Sequence, residues 1–217
     1  MQGRKRRSLR CSVPIRFPLS EPDQFIVPGV KNGIMLTRDD AISLLGKYVT
    51  RENLFNHCLA TAAIMKKTAE YLGEDAQKWE VIGILHDIDY EFIDGDMARH
   101  GPEGYRILMD EGVDGDIAVI VKRHNDFIYG NTDTPADRAL QAADNISGLI
   151  IAAALMKGGR VTDVTPKTIS KKFKEKSFAA GCRREQVALI EPLIDLPTYF
   201  GIAIGALVDI RDQLGLL

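Results

Sequence analysis

Apolar residues recur at spacings of three and four over most of the chain beyond residue 36, and alternation at a spacing of two is nowhere sustained. The pattern predicts helices rather than strands. Thr37, with Asp40 three residues on, forms a variant capping box that opens a first helix with the stripe Leu44, Leu45 and Tyr48. A second helix is expected over 51–72, where Leu54, Cys58, Ala62, Met65, Ala69 and Leu72 share a face and Gly73 stops it. A third, over 75–87, carries Val81, Ile82, Ile84 and Leu85 directly into His86-Asp87. The acidic stretch 89–99 reads as a loop, and Gly101-Pro102 places a proline in the first turn of a helix over 103–109. Further helices are expected over 116–127, 135–157 and 186–214, the last broken near Pro192 and Pro197. No glycine-rich turn joins a strand to a helix, so a Rossmann or P-loop nucleotide fold is not supported. The fold class is all-α, a helical bundle with its core over about 51–157 and a C-terminal helical extension over 158–217.

Composition narrows the picture. A length of 217 residues suits one domain, and 45% apolar with 27% charged residues is a soluble globular balance. The longest apolar stretch, 149–156, is too short to span a bilayer, so no membrane role is expected. Residues 1–33 carry seven Lys/Arg against two Asp/Glu, leaving 21 against 28 in the remainder. The remainder is therefore acidic, which makes nucleic acid an unlikely partner. The basic start, Arg4-Lys5-Arg6-Arg7 with Pro14, Pro18, Pro22 and Pro28, reads as a disordered arm over 1–34. Met35 is the suspected biological start. Cys11, Cys58 and Cys182 are odd in number and form no CxxC pair, which fits a reducing cytoplasm and excludes a disulfide framework or a thiolate zinc site.

Any metal or acid–base chemistry therefore rests on four histidines and on carboxylates. His57, His86 beside Asp87, His100 and His124 all lie in the helical region, each near a helix end or a carboxylate. Asp144 lies within the apolar helix over 135–157, where an unpaired charge is costly to bury. Taken alone, His57 is more often a hydrogen-bonded core histidine than a ligand, His86-Asp87 a helix C-cap, and Asp144 a partner of Asn145 or Ser147. Taken together they form the mixed imidazole–carboxylate set with which helical bundles hold Fe, Mn, Co, Ni or Zn.

The order of these residues, with the strings Asn56-His57-Cys58, Ile84-Leu85-His86-Asp87-Ile88, His100-Gly101-Pro102-Glu103-Gly104 and Ala142-Ala143-Asp144, resembles the HD-domain superfamily of metal-dependent phosphohydrolases. The segment 172–181, Lys-Phe-Lys-Glu-Lys-Ser-Phe-Ala-Ala-Gly, is similar to a stretch of its small stand-alone HDIG-type branch. The resemblance covers about 37–215. It implies that His57, His86, Asp87 and Asp144 bind one divalent transition metal, and that Asp87 bridges to a second held by His100 and His124. It implies hydrolysis of a small phosphate ester, of nucleotide or dinucleoside polyphosphate type, by a metal-activated hydroxide. The superfamily often continues Ile-Gly-Lys after its His-Asp, whereas this chain has Ile88-Asp89-Tyr90-Glu91, so no phosphate-binding lysine is carried over there. Asp89 is a candidate general acid–base or a residue that orients water, or else a loop cap.

Substrate contacts are expected from His100, from the N–H groups of the helix after Pro102, and from Lys122 and Arg123. Lys171, Lys172, Lys174 and Lys176 form either a solvated face or a polyphosphate clamp, with Lys172 and Lys176 as the substrate-binding candidates. Two other functions fit the same resemblance: an HD-fold diiron oxygenase and a non-catalytic nucleotide-binding signalling module.

Overall fold

Thr37 accepts from the Asp40 N–H at 3.2 Å while Asp40 accepts from the Thr37 N–H, so the expected capping box opens α1 (Arg38–Tyr48). The computed structural model describes residues 33–130 and 133–217. The arm expected over 1–34, with Cys11, lies outside these residues except for Gly33 and Ile34. Ile34 makes one isolated parallel bridge to Val113, and no strand occurs among the described residues.

Among the described residues ten α-helices follow one another: α1, α2 (Glu52–Leu72), α3 (Ala76–Leu85), α4 (Pro102–Asp110), α5 (Gly115–Arg123), α6 (Asp126–Tyr129), α7 (Pro135–Leu155), α8 (Pro166–Lys174), α9 (Arg184–Val187) and α10 (Leu196–Asp209). The all-α reading is correct. The long helices α2 and α7 form the centre, with α3 and α10 packed on α2. Ala60, Ala62, Ile64, Met65, Ile84, Leu85, Leu140, Ala143, Ile146 and Ile150 are all buried where they meet. The residues from 158 onward fold back on this centre, α8 and α9 against α7 and α10 against α2. None of the described helices is long and apolar enough to cross a membrane.

Three expectations need correction. The helix predicted over 116–127 is two helices, because Asn125 turns out of line: its side chain accepts from Phe127 N–H to cap α6 and donates to the carbonyls of Met97 and His100. The helix predicted over 186–214 is broken more fully than its prolines alone suggest, into α9, a 3-10 turn (Ala188–Ile190) and α10, which Asp195 caps ahead of Pro197. Helix α8 was not predicted. Its cap, Thr165 before Pro166, is an ordinary start signal, but the segment is short and its only buried residue is Ile169.

Candidate metal centre

Two close approaches bring the histidines together. A Cβ on Gly83 would lie 2.5 Å from the Ala62 Cα, so only glycine lets α3 seat this closely against α2. That contact sets His57 of α2 beside His86 at the end of α3, ring centroids 5.2 Å apart. Gly101, at φ 86 and with no room for a Cβ against the Lys122 carbonyl, lets the start of α4 lie against the end of α5. His100 and His124 consequently meet edge to face at 4.6 Å.

Each imidazole is held by its Nδ1 on the outer side. His86 Nδ1 donates to the Gly83 carbonyl at 2.9 Å and His124 Nδ1 to that of Val121. His100 Nδ1 donates to Asp89 Oδ1 at 2.9 Å, and His57 Nδ1 lies 3.5 Å from Ser147 Oγ. All four Nε2 atoms point inward. Those of His57 and His86 lie 3.7 and 3.5 Å from Asp87 Oδ2, while those of His100 and His124 lie 3.4 and 3.5 Å from Asp87 Oδ1. Asp144 Oδ1 adds a second carboxylate oxygen, 2.9 Å from His57 Nε2 and 3.8 Å from His86 Nε2.

The result is two nests of three donors, His57–His86–Asp144 and Asp87–His100–His124, with the donor atoms of each within 4.8 Å of one another. The two oxygens of Asp87 face one nest each. The donor set fits a divalent metal, and one atom tests the fit: His86 Nε2 is buried, has no hydrogen-bond partner, and carries a lone pair because Nδ1 holds the proton. A buried acceptor with nothing to accept needs an explanation, and a cation between the nests supplies it. Outer-side hydrogen bonds that fix the tautomer of each histidine are a usual accompaniment of metal ligation.

The electrostatics agree. Burial pushes the Asp87 carboxyl up, but the surrounding imidazoles, His86 foremost, outweigh it and hold the group well below the usual carboxylate range. Burial likewise opposes ionisation of Asp144, and the close approach of His57, at 2.9 Å, with His86 nearby, outweighs it there. Both carboxylates are therefore charged. In turn burial pushes His86 and His100 down, while Asp87 beside the first and the Asp89 hydrogen bond to the second bring both above the ordinary histidine value. Two buried carboxylates that raise the basicity of the imidazoles around them are equally disposed to hold a cation there.

The remaining candidates fall elsewhere. Asp89 is fully buried, and its other oxygen accepts from the N–H groups of Gly101 and Gly104 at 2.8 and 2.7 Å. That corrects the expectation that the start of α4 offers free N–H groups to a phosphate: Pro102 has none, and Asp89 already fills the place of the anion. Arg123 Nη2 donates to both oxygens of the buried carboxylate of Asp137, at 2.8 and 3.1 Å, joining α5 to the first turn of α7. Lys122 lies over the rings of Tyr105 and Tyr129 at 5.0 and 5.7 Å. Lys172 pairs with Glu175 and sits over Phe178. None of these three lines the cavity of about 260 Å³ that opens over Asp87, His100, His124 and Asp144. Lys176 lines a separate cavity of about 580 Å³.

Sequence reasoning missed Asn125, Gln141, Asn145 and Arg183, all of which border the first cavity. Gln141 donates to the His124 carbonyl and Asn145 to Asp144 Oδ2. The sequence signal for Asn125, Gln141 and Asn145 was proximity to histidine or aspartate, and Arg183 had none. Cys58 and Cys182 are free, and burial pushes the Cys182 thiol up to about 11, which makes it a slowly reacting wall residue rather than a catalytic nucleophile.

Comparison with known proteins gives a family and nothing finer. No curated protein and no solved structure matches the chain. Residues 54–149 match the HD domain family, whose members are generally metal-dependent hydrolases and bind divalent metals. The matched stretch runs from α2 into α7 and contains every histidine and carboxylate of the two nests. Over these residues the chain is similar to the HD-domain superfamily.

Proposed function

We propose that the protein is a metal-dependent phosphohydrolase acting on a small phosphate ester, of nucleotide or dinucleoside polyphosphate type. The observation that carries this reading is the convergence of four imidazole Nε2 atoms on the two oxygens of Asp87. His57, His86, Asp144 and Asp87 Oδ2 would hold one divalent ion, and His100, His124 and Asp87 Oδ1 a second. Iron, manganese, cobalt, nickel or zinc suits this nitrogen–oxygen set better than magnesium. Such ions, when bound, supply a Lewis acid for the phosphoryl oxygens and lower the pKa of water enough to make it a nucleophile at neutral pH.

The chain's own contribution is placement. Gly83, Val121 and Asp89 keep a proton on the outer nitrogen of His86, His124 and His100, which leaves each inner nitrogen free to ligate. Asp89 acts here as a positioning residue for His100 rather than as a general acid–base, since both its oxygens are committed and neither reaches solvent. No side chain is required as a nucleophile. The free buried cysteines accord with a cytoplasmic setting.

The deciding experiment combines elemental analysis of the purified protein with a panel of phosphomonoesters, nucleotides and dinucleoside polyphosphates. His86→Ala with Asp87→Ala is expected to lose both the metal and the activity. Unchanged metal content and phosphatase activity in that variant would end the proposal.

A further inference from the structure

One side chain folds the segment that follows α8. Arg184 donates from Nε to the Phe173 carbonyl (3.3 Å), from Nη1 to those of Ala179 and Cys182 (2.9 and 2.6 Å), and from Nη2 to those of Glu175 (3.2 Å) and Phe178. A guanidinium has five N–H groups, and here all five are spent on the main chain. Arg184 is thus a clasp with nothing left to offer a ligand. The turn it closes includes Ala179 at φ 44, a conformation that costs a non-glycine residue on the order of 1–2 kcal/mol and persists only where the surroundings impose it. The next residue pins the clasped segment to α7: the Arg183 N–H donates to Asn145 Oδ1 at 3.2 Å, and Asn145 Nδ2 lies 3.3 Å from Asp144 Oδ2.

The clasped segment is a wall shared by adjoining cavities. On one side Ala179, Gly181 and Cys182 face His57 and Asp144 across a space of about 460 Å³. On the other, Lys174, Lys176 and Arg183 line the space of about 580 Å³, to which Cys182 also belongs. Arg183 borders the metal-centre cavity as well. Among the described residues, Lys174 and Lys176 form no ion pair, while the exposed guanidinium of Arg183 is matched with Asp126, itself on the rim of the metal-centre cavity, and with Glu185, the one carboxylate that lines the same space as the two lysines. A cluster of cations beside a carboxylate-rich centre, on a fold whose residues 34–217 carry 21 basic against 28 acidic side chains, is a local reversal of charge and a recognition feature for an anion.

We propose that the Arg184-clasped segment carries a second anion-binding subsite, in which Lys174, Lys176 and Arg183 hold a phosphate of the ligand other than the one at the imidazole–carboxylate centre. The ligand class is an oligophosphate, or a phosphate ester bearing a second phosphoryl group. The assignment of that second phosphate rests on the phosphohydrolase reading; the anion subsite itself does not.

The test uses the full chain, with Cys11→Ser to silence the N-terminal thiol, and inorganic tripolyphosphate in excess magnesium as the probe. Calorimetry measures binding, and mass spectrometry measures the rate at which an alkylating reagent modifies Cys182. Tripolyphosphate is expected to slow modification of Cys182, and Lys174→Ala with Lys176→Ala to weaken its binding about tenfold or more. Arg184→Lys preserves the net charge but cannot fork onto five carbonyls. It is expected to weaken binding comparably and to speed Cys182 modification without the probe, an effect that a merely diffuse positive field would not produce. If Arg184→Lys does not fold, the lysine pair decides. Equal tripolyphosphate affinity in the lysine variant, or no protection of Cys182, overturns the subsite. Protection of Cys182 by a protein that hydrolyses none of the phosphate esters sustains the subsite and removes the phosphohydrolase reading instead.

Discussion

Asp89 and His100 form a buried carboxylate–imidazole pair in which Asp89 Oδ1 accepts the Nδ1 proton of His100 at 2.9 Å, 11 residues along the chain and on the side of the ring away from Asp87. The pair fixes which nitrogen faces the site. Asp89→Asn keeps the shape of the side chain, and its carbonyl oxygen can still accept from Gly101 and Gly104. Its amide NH₂ then faces His100 Nδ1 and moves the imidazole proton to Nε2, where it blocks ligation. Metal affinity of the Asp87–His100–His124 nest is expected to fall about 10–100-fold, with the His57–His86–Asp144 nest retained. Titration of metal content against free metal concentration checks this. Two equally tight ions in Asp89→Asn, or none in the wild type, would refute it.

Gly83 tests how far the site depends on helix packing. Its missing Cβ is what keeps α3 against α2, since an added carbon would fall 2.5 Å from the Ala62 Cα and 2.8 Å from the Ala62 nitrogen. Backbone cannot give way as a side-chain end can. Gly83→Ala is expected to destabilise the fold by about 1–3 kcal/mol through overpacking, and also to weaken metal binding, because it separates His57 from His86. Urea denaturation of the metal-free protein isolates the first effect. A midpoint equal to that of the wild type would show that the helices reseat without cost.

The elements that announced themselves in the sequence were those whose signals are local. The capping box at Thr37, the Gly73 stop and the stripe through Cys58, Ala62, Met65 and Ala69 all depend on neighbours within a turn or two, and the structure has each of them. The six ligand-type residues were legible as a series because their order and their helix ends sufficed. Their assembly was not legible. That Gly83 is a packing glycine depends on Ala62, 21 residues away, and that the start of α4 is already occupied depends on a buried Asp89. The helix over 116–127 failed for the same reason: Asn125 is drawn out of line by the Met97 and His100 carbonyls, which no helical period reveals. Arg123 and Lys122 were placed near substrate by sequence adjacency to His124, but successive residues of a helix point about 100° apart, and Asp137 and two tyrosines claim them.

Glu91 supplies an acid-sensitive contact. The start of α2 has no side-chain cap of its own, and Glu91 serves instead: it accepts from the Thr50 hydroxyl and from the N–H groups of Thr50 and Arg51 at 2.6, 2.9 and 3.0 Å. The Thr50 hydroxyl first, and then the Arg51 and Thr50 N–H groups, pull the carboxyl down from 4.5 to about 2. A folded pKa below the unfolded one contributes stability that is complete above the unfolded value and is lost as pH falls towards the folded one. The stability difference between wild type and Glu91→Gln is therefore expected to be constant above about pH 5 and to shrink between pH 4.5 and 2. Denaturation midpoints for the two proteins across that range provide the check. A difference independent of pH would assign the effect to shape rather than charge.

Asn125 is expected to distinguish hydrogen bonding from mere occupancy at the junction of α5 and α6. Its Nδ2 donates to the Met97 and His100 carbonyls at 2.8 and 2.9 Å, and its Oδ1 accepts from the Phe127 N–H at 3.0 Å. The residue is 2% exposed, so water does not readily replace what a substitution removes. Asn125→Ala forfeits three bonds and leaves buried polar groups unsatisfied, at about 1–3 kcal/mol. Asn125→Asp keeps the cap on α6, but it turns a carboxylate oxygen towards two carbonyl oxygens in a buried setting. That repulsion makes the isosteric variant the worse of the two at neutral pH, and protonation of the new carboxyl should recover part of the loss as pH falls. Because the His100 carbonyl is one of the partners, both variants are expected to loosen the His100–His124 nest. Comparing the two at neutral and mildly acidic pH settles the matter: an aspartate variant more stable than the alanine one at pH 7 would mean that the cap, and not the pair of donated bonds, is what Asn125 contributes.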